Sequence, residues 1–384
     1  MTALFKKGSE MLFIIKTKSE DILMMMSNKI TGVPLCYQMT STTKSPVLKE
    51  TQYFDKTPCG IRTQNIWFPH LIPPPIYLLS PNSGTQYFTA SEVVDFEDAI
   101  RAHKPWLESL LLKSGAILFR GFPVTSPSDF NMVIEAFGYP EFPYNGGIAP
   151  RTQVLGRVYT ANESPLDMEI PFHHEMAYAA DFPTKLFFFC EEEPGAGGET
   201  PIVLSHIIYE KMKAIHPDFV DQLEKHGLKY IKIAPEDDDP SFHSGTSWKS
   251  LFKTDDKSVA EDRAAKREIK LEWIGTTAKL TRNPLPAIGF DKENDRKTWF
   301  NTILAAYSEP ESEKFGPPKT SAELGNGDPV DDDVLKDVLK IMKEECVAIP
   351  WKKGDVLLIN NLTVLHGRRP LVRPPRRILA SLCK

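Results

Sequence analysis

Apolar positions along the chain follow two patterns. Gly115-Ala116-Ile117-Leu118-Phe119-Arg120-Gly121-Phe122, ending in a Gly turn, Leu186-Phe187-Phe188-Phe189-Cys190 and Asp355-Val356-Leu357-Leu358-Ile359 predict buried strands. Val154 to Thr160, Glu199 to Leu204 and Ile378 to Leu382 read as further strands. Stripes of helical spacing predict a helix from Ser91 to about Ser114, marked by Phe96, Ile100 and Leu107 and interrupted by Pro105. Others are expected over Ser126 to Phe137, with Ser128 as its cap, and from Ser205, as cap, to the stop at Pro217. A short helix around Phe219 to His226 and one over Val330 to Cys346 complete the set.

Two stretches lack a pattern. Residues 1–60 are rich in Lys, Ser, Thr and Met with little periodicity, and are expected to be a poorly ordered extension. From about 235 to 327 the chain is polar, charged and irregular, with Trp248, Trp273 and Trp299 punctuating it. The expected organisation is therefore one domain over 61–384, mainly β with flanking helices, carrying that polar insert. Pro73-Pro74-Pro75 leads into it as an extended segment. The 32 prolines fit loops and strand edges better than helix interiors.

Charge and cysteines narrow the function class. With 46 basic and 51 acidic residues the net charge is −5, which argues against nucleic acid as a partner. No apolar run approaches the roughly 20 residues of a membrane span. Five widely spaced cysteines without a C-x-x-C fit a reducing compartment, the cytoplasm, better than a disulfide framework.

Candidate chemistry centres on Phe172-His173-His174-Glu175-Met176. On a strand, His173 and Glu175 point to one face and His174 to the other. An imidazole and a carboxylate facing one pocket can both ligate a metal. His366, in Asn360-Asn361-Leu362-Thr363-Val364-Leu365-His366-Gly367-Arg368, is the natural third ligand. Two His and one carboxylate on one face of an octahedral iron leave three adjacent positions open. Eleven residues beyond His366 lies Arg377, next to Arg376. An arginine can grip a carboxylate with two N–H groups, but only one of two strand neighbours can face the pocket. Thr200, 25 residues after Glu175 in Gly197-Gly198-Glu199-Thr200, adds a hydroxyl.

The order His-x-Glu, Gly-Gly-Glu-Thr, Leu-His-Gly-Arg and Arg-Arg-Ile-Leu resembles the taurine dioxygenase/TfdA family of Fe(II)/2-oxoglutarate-dependent oxygenases. The likeness is greatest to the clavaminate synthase-like proteins, which carry Glu in the pair, and it covers roughly residues 60–384. It implies a double-stranded β-helix, or jelly roll. It also implies Fe(II) ligated by His173, Glu175 and His366, and 2-oxoglutarate held by Arg377 and Thr200 with Arg376 as the fallback. O2 is the oxidant, a small molecule the substrate, and succinate and CO2 the co-products. In taurine dioxygenase a second arginine, four residues after the co-substrate arginine, grips the sulfonate. Ser381 stands there in this chain, which disfavours a sulfonate substrate, and the presence of Glu175 disfavours halogenation. Two other classes use similar residues: a jelly-roll binding protein without turnover, and a zinc hydrolase. Intact ligands and both co-substrate residues argue against the first, and the second gives the Thr200 and Arg377 pair no task.

Overall fold

The computed structural model describes residues 96–143, 151–161, 163–239, 246–307 and 321–384, together with the backbone of Thr320 and of short strands between Lys6 and Leu79. Its central strand is the apolar run Lys185–Glu192. It can be apolar on both faces because both are covered. It lies in the middle of a seven-stranded sheet in the order Tyr77–Leu79, Ala116–Phe119, Val356–Asn360, Lys185–Glu192, Arg377–Cys383, Val158–Thr160, Gln153–Leu155. Only Tyr77–Leu79 and Ala116–Phe119 pair in parallel within it.

Successive side chains of a strand alternate between faces. Phe187, Phe189, Ile117, Phe119, Val356, Leu358 and Leu379 therefore pack together on the side covered by the helices Phe96–Ser114 and Pro127–Phe137. Phe188, Leu118, Leu357, Ile359, Ile378 and Ala380 face the other way, into the interior. There they meet a smaller antiparallel sheet, Ile170–His173, Val364–Arg368, Thr200–Leu204 and Val347–Ile349. Two sheets stacked face to face with helices outside make the expected jelly roll. No helix among the described residues is long and apolar enough to cross a membrane.

Local details depart from the sequence pattern for physical reasons. The helix Pro127–Phe137 is capped by Ser126, not Ser128: Ser126 Oγ accepts from Asp129 N and the Asp129 carboxylate accepts from Ser126 N. Pro127 then takes the first helical position, where its missing N–H costs nothing. The helix Phe96–Ser114 runs through Pro105. That residue is exposed, while Ile100, Leu107 and Leu111 anchor the helix on both sides of it. The first five residues of the expected helix, 91–95, lie outside the described residues. Val154 to Thr160 is a hairpin rather than one strand, turning at Gly156 with φ +51°. Ser205 opens its helix without a side-chain cap; its backbone N–H is satisfied by Thr363 O.

The described residues of the insert are regular: they build a sheet together with the strand that precedes them. Leu228–Ala234, Ile269–Ile274, Thr277–Arg282 and Thr320–Leu324 form a four-stranded antiparallel sheet. The short helices Trp248–Phe252 and Lys257–Ala265 cover it over a small core of its own that includes Trp248, Phe252 and Leu280. Within residues 1–60, the backbone strands Phe13–Lys16, Ile22–Met26, Leu35–Thr40 and Val47–Glu50 form an antiparallel meander. The remainder of that expected extension falls mostly outside the described residues, as does the proline lead-in.

Candidate metal and co-substrate site

The strand Ile170–His173 pairs with Val364–Arg368 so that His173 sits directly opposite His366. Their rings lie 4.3 Å apart, centroid to centroid. Glu175 joins them from a different kind of position. The strand stops at His173, and Glu175 lies in the turn beyond it, followed by Met176 at φ 58°. Strand alternation therefore does not aim Glu175. Asn361 does: Glu175 N donates to its Oδ1 at 2.8 Å, and its Nδ2 donates to Glu175 O at 3.0 Å and to Pro183 O at 2.7 Å.

The outcome is the expected convergence. Ligand atoms of His173, Glu175 and His366 all lie within 4.8 Å of one another. Glu175 Oε2 is 3.8 Å from His173 Nε2 and 3.7 Å from His366 Nε2. His173 Nδ1 lies 2.8 Å from Pro171 O, so Nδ1 carries the proton and Nε2 presents its lone pair to the site. His174 turns away, fully buried, with its ring nitrogens against Asn361 O and Trp299 O.

The electrostatics suit a divalent cation. Burial alone raises the Glu175 carboxyl, but the Arg151 guanidinium and the two imidazoles outweigh it and hold the group well below the usual carboxylate range. Burial, with His173 nearby, pushes His366 down to about 4, which keeps its imidazole neutral. An ionised carboxylate and neutral imidazoles are the forms that ligate a metal.

These three residues line a pocket that also holds Arg151, Thr200, Arg368 and Arg376. Thr200 Oγ1 accepts from Trp351 Nε1 at 2.9 Å. An indole N–H only donates, so the threonine proton remains available to a ligand. Arg376 lies just before the strand Arg377–Cys383 and shares the pocket side with Ile378, its Nε donating to Gly198 O at 2.8 Å. Arg377 faces away, 49% exposed, in an ion pair with Glu191 at 2.9 Å. Of the sequence candidates, the structure gathers His173, Glu175, His366 and Thr200 and leaves Arg377 outside; the fallback Arg376 takes its place. Trp299 and Phe300 are core residues: Trp299 is fully buried and Phe300 packs on His174 and Phe182.

Sequence reasoning missed four supporting residues: Asn361, Trp351, Arg151 and Arg368. The polar doublet Asn360-Asn361 between two apolar strands was a readable signal for the first. Arg151 donates to Glu175 Oε2 at 2.9 Å. Arg368 ties down the approach to the His-x-Glu strand by donating to Ser164 O, Pro165 O and Met168 O.

A sequence profile described as "Taurine catabolism dioxygenase TauD, TfdA family" matches residues 79–383. The chain belongs to the TauD/TfdA family. Among curated members, a clavaminate synthase-like protein of Arabidopsis thaliana is 55% identical over 308 residues, 80% of this chain and 93% of that protein. The dapdiamide synthesis protein DdaC of Enterobacter agglomerans is 26% identical over 311 residues, covering 76% and 89%. Similar solved structures include PvcB from Pseudomonas aeruginosa, at 15% identity, TM-score 0.43, and 86% and 93% coverage. A putative alpha-ketoglutarate-dependent taurine dioxygenase from Burkholderia xenovorans matches at 14% identity, TM-score 0.43, and 73% and 83% coverage. As a TauD/TfdA member the chain is a dioxygenase.

Proposed function

We propose that His173, Glu175 and His366 hold Fe(II), and that Arg376 with Thr200 holds the distal carboxylate of 2-oxoglutarate. The enzyme then oxidises a C–H bond of a small molecule by hydroxylation, desaturation or cyclisation, releasing succinate and CO2. The observation that carries this reading is the single pocket shared by the three ligand side chains and by Arg376 and Thr200.

Bound iron supplies the oxidising chemistry, and the chain supplies position and dryness. Arg376 gives a fixed, permanently charged fork for a carboxylate, held in direction by its bond to Gly198 O. Thr200, its oxygen engaged by Trp351, turns its proton to the same anion. His173 keeps its tautomer through Pro171 O. Asn361 fixes the backbone of Glu175, so its carboxylate need not search for the imidazoles. Ala161, Ile170, Phe188 and Ile378 give the pocket apolar wall, which displaces water from the reacting groups. Measured from Arg376, the position four residues on is Ala380, which like Ser381 carries no charge, so this strand offers no second cation for a sulfonate. Among the described residues the buried thiols Cys190 and Cys383 are free, which suits a reducing compartment such as the cytoplasm.

The test is succinate release. Full-length protein with Fe(II), ascorbate and 2-oxoglutarate, offered a broad panel of small molecules, is expected to form succinate, and Glu175→Ala to form none. A wild-type protein that neither binds 2-oxoglutarate nor forms succinate contradicts the proposal.

A further inference from the structure

Glu175 Oε2 is a shared atom. It faces Nε2 of both histidines, at 3.8 and 3.7 Å, and it also accepts from Arg151 Nη2 at 2.9 Å. The two side chains of that ion pair are only 5% and 7% exposed. Among the described residues that line the pocket Glu175 is the one carboxylate, against Arg151, Arg368 and Arg376. Arg368 is committed to three carbonyls and Arg376 donates to Gly198 O. Arg151 is thus the cation placed directly on the carboxylate oxygen that faces both imidazoles.

A buried carboxylate needs a nearby cation, and two cations on one carboxylate oxygen repel. We propose that Arg151 is a positioning residue that competes with the metal: it holds Glu175 aimed at the two imidazoles, and a divalent cation must share or displace it. This rests on His173, Glu175 and His366 being the metal site. The consequence is a linkage. What Arg151 contributes to the stability of metal-stripped protein, it subtracts from metal affinity. The site is kept assembled before the metal arrives, at some cost in tightness.

The experiment is thermal unfolding of metal-stripped full-length protein, paired with calorimetric titration of Mn(II), for wild type, Arg151→Gln, Arg151→Lys, Glu175→Gln and the Arg151→Gln/Glu175→Gln double variant. Arg151→Gln is expected to melt at lower temperature without metal, and Mn(II) to restore it towards wild type. It should bind Mn(II) about tenfold or more tightly, since a neighbouring opposite charge shifts a carboxylate's proton affinity by about 1–3 log units and acts likewise against a metal. Arg151→Lys, which keeps the charge, should stay within about threefold of wild type. In the Glu175→Gln background, Arg151→Gln should cost less stability than it does in wild type. Unchanged or weaker Mn(II) binding by Arg151→Gln overturns the inference while leaving the metal site standing. Should Arg151→Gln fail to fold, the double variant decides: failure to fold there too overturns the competition. Wild-type protein that takes up no Mn(II), or takes it up equally well after Glu175→Gln, overturns the metal site and this inference with it.

Discussion

The two ends of the pocket are held in different ways. At the triad end, Asn361 makes three side-chain hydrogen bonds to the chain around Glu175, His173 is tied to Pro171 O, and the paired strands set His173 against His366. At the arginine end, Arg376 makes one bond to Gly198 O and Thr200 takes one from Trp351. The triad is part of the folded core; the arginine end is a pair of donors resting on it. Damage at the first end should therefore register in stability and metal binding together, and damage at the second in ligand affinity alone.

The largest effect that could break this contrast comes from Asn361→Ala. It leaves Glu175 N, Glu175 O and Pro183 O without their buried partner, which should cost about 3–5 kcal/mol in denaturant unfolding. Metal affinity should fall about 10–100-fold with it, as for other residues that orient a ligand. A stable Asn361→Ala with unchanged metal binding would erase the distinction between the two ends.

Protonation gives an effect of intermediate size, outside both ends. His206 is buried, its Nε2 accepts from Arg296 at 3.1 Å, and burial with the Arg296 charge pushes it down to about 4. Its folded value lies below the unfolded one, so between about pH 6.5 and 4 the unfolded chain binds more protons and stability falls as pH falls. His206 is expected to contribute about 1 kcal/mol per pH unit to that loss, so the slope should be smaller in His206→Gln, read from unfolding midpoints at pH 7 and pH 5. Equal pH slopes for the two proteins would remove His206 from the explanation.

Trp351→Phe should do less. It removes one N–H from Thr200 and keeps most of the packing, so 2-oxoglutarate affinity should fall about three- to tenfold, with metal affinity unchanged. A matching loss of metal affinity would mean the ends are not independent. Smallest of all is Arg377→Ala. Its exposed pair with Glu191 should contribute no more than about 1 kcal/mol, and 2-oxoglutarate binding should not change.

Much of this was legible from the chain. The apolar runs at 116–119, 186–190 and 356–359 foretold the doubly covered strands of the larger sheet. The histidines and Glu175 could be chosen because few residue types ligate a metal. The choice between His173 and His174 came out as expected, although Glu175 is aimed by Asn361 rather than by strand alternation. At the arginine end the parity rule held: Arg376 and Ile378 share the pocket side and Arg377 does not. Parity cannot say which of two equal neighbours points inward without the register of Arg377–Cys383 against Lys185–Glu192, and the pairing shifts between Cys190 and Glu192. The insert sheet escaped because strands such as Leu228–Ala234 carry lysines at 229 and 232 among their apolar residues, which blurs the alternation. Arg151 escaped because its partner lies 24 residues away and no spacing rule links them.

The most direct test of the site is anaerobic calorimetric titration of 2-oxoglutarate into Fe(II)-loaded protein, comparing wild type with Arg376→Ala and Arg377→Ala. Loss of one partner of a buried charge pair costs roughly 2–5 kcal/mol, so Arg376→Ala should weaken binding at least about thirtyfold while Arg377→Ala matches wild type. The reverse pattern, with Arg377→Ala weakened and Arg376→Ala unaffected, would contradict the assignment.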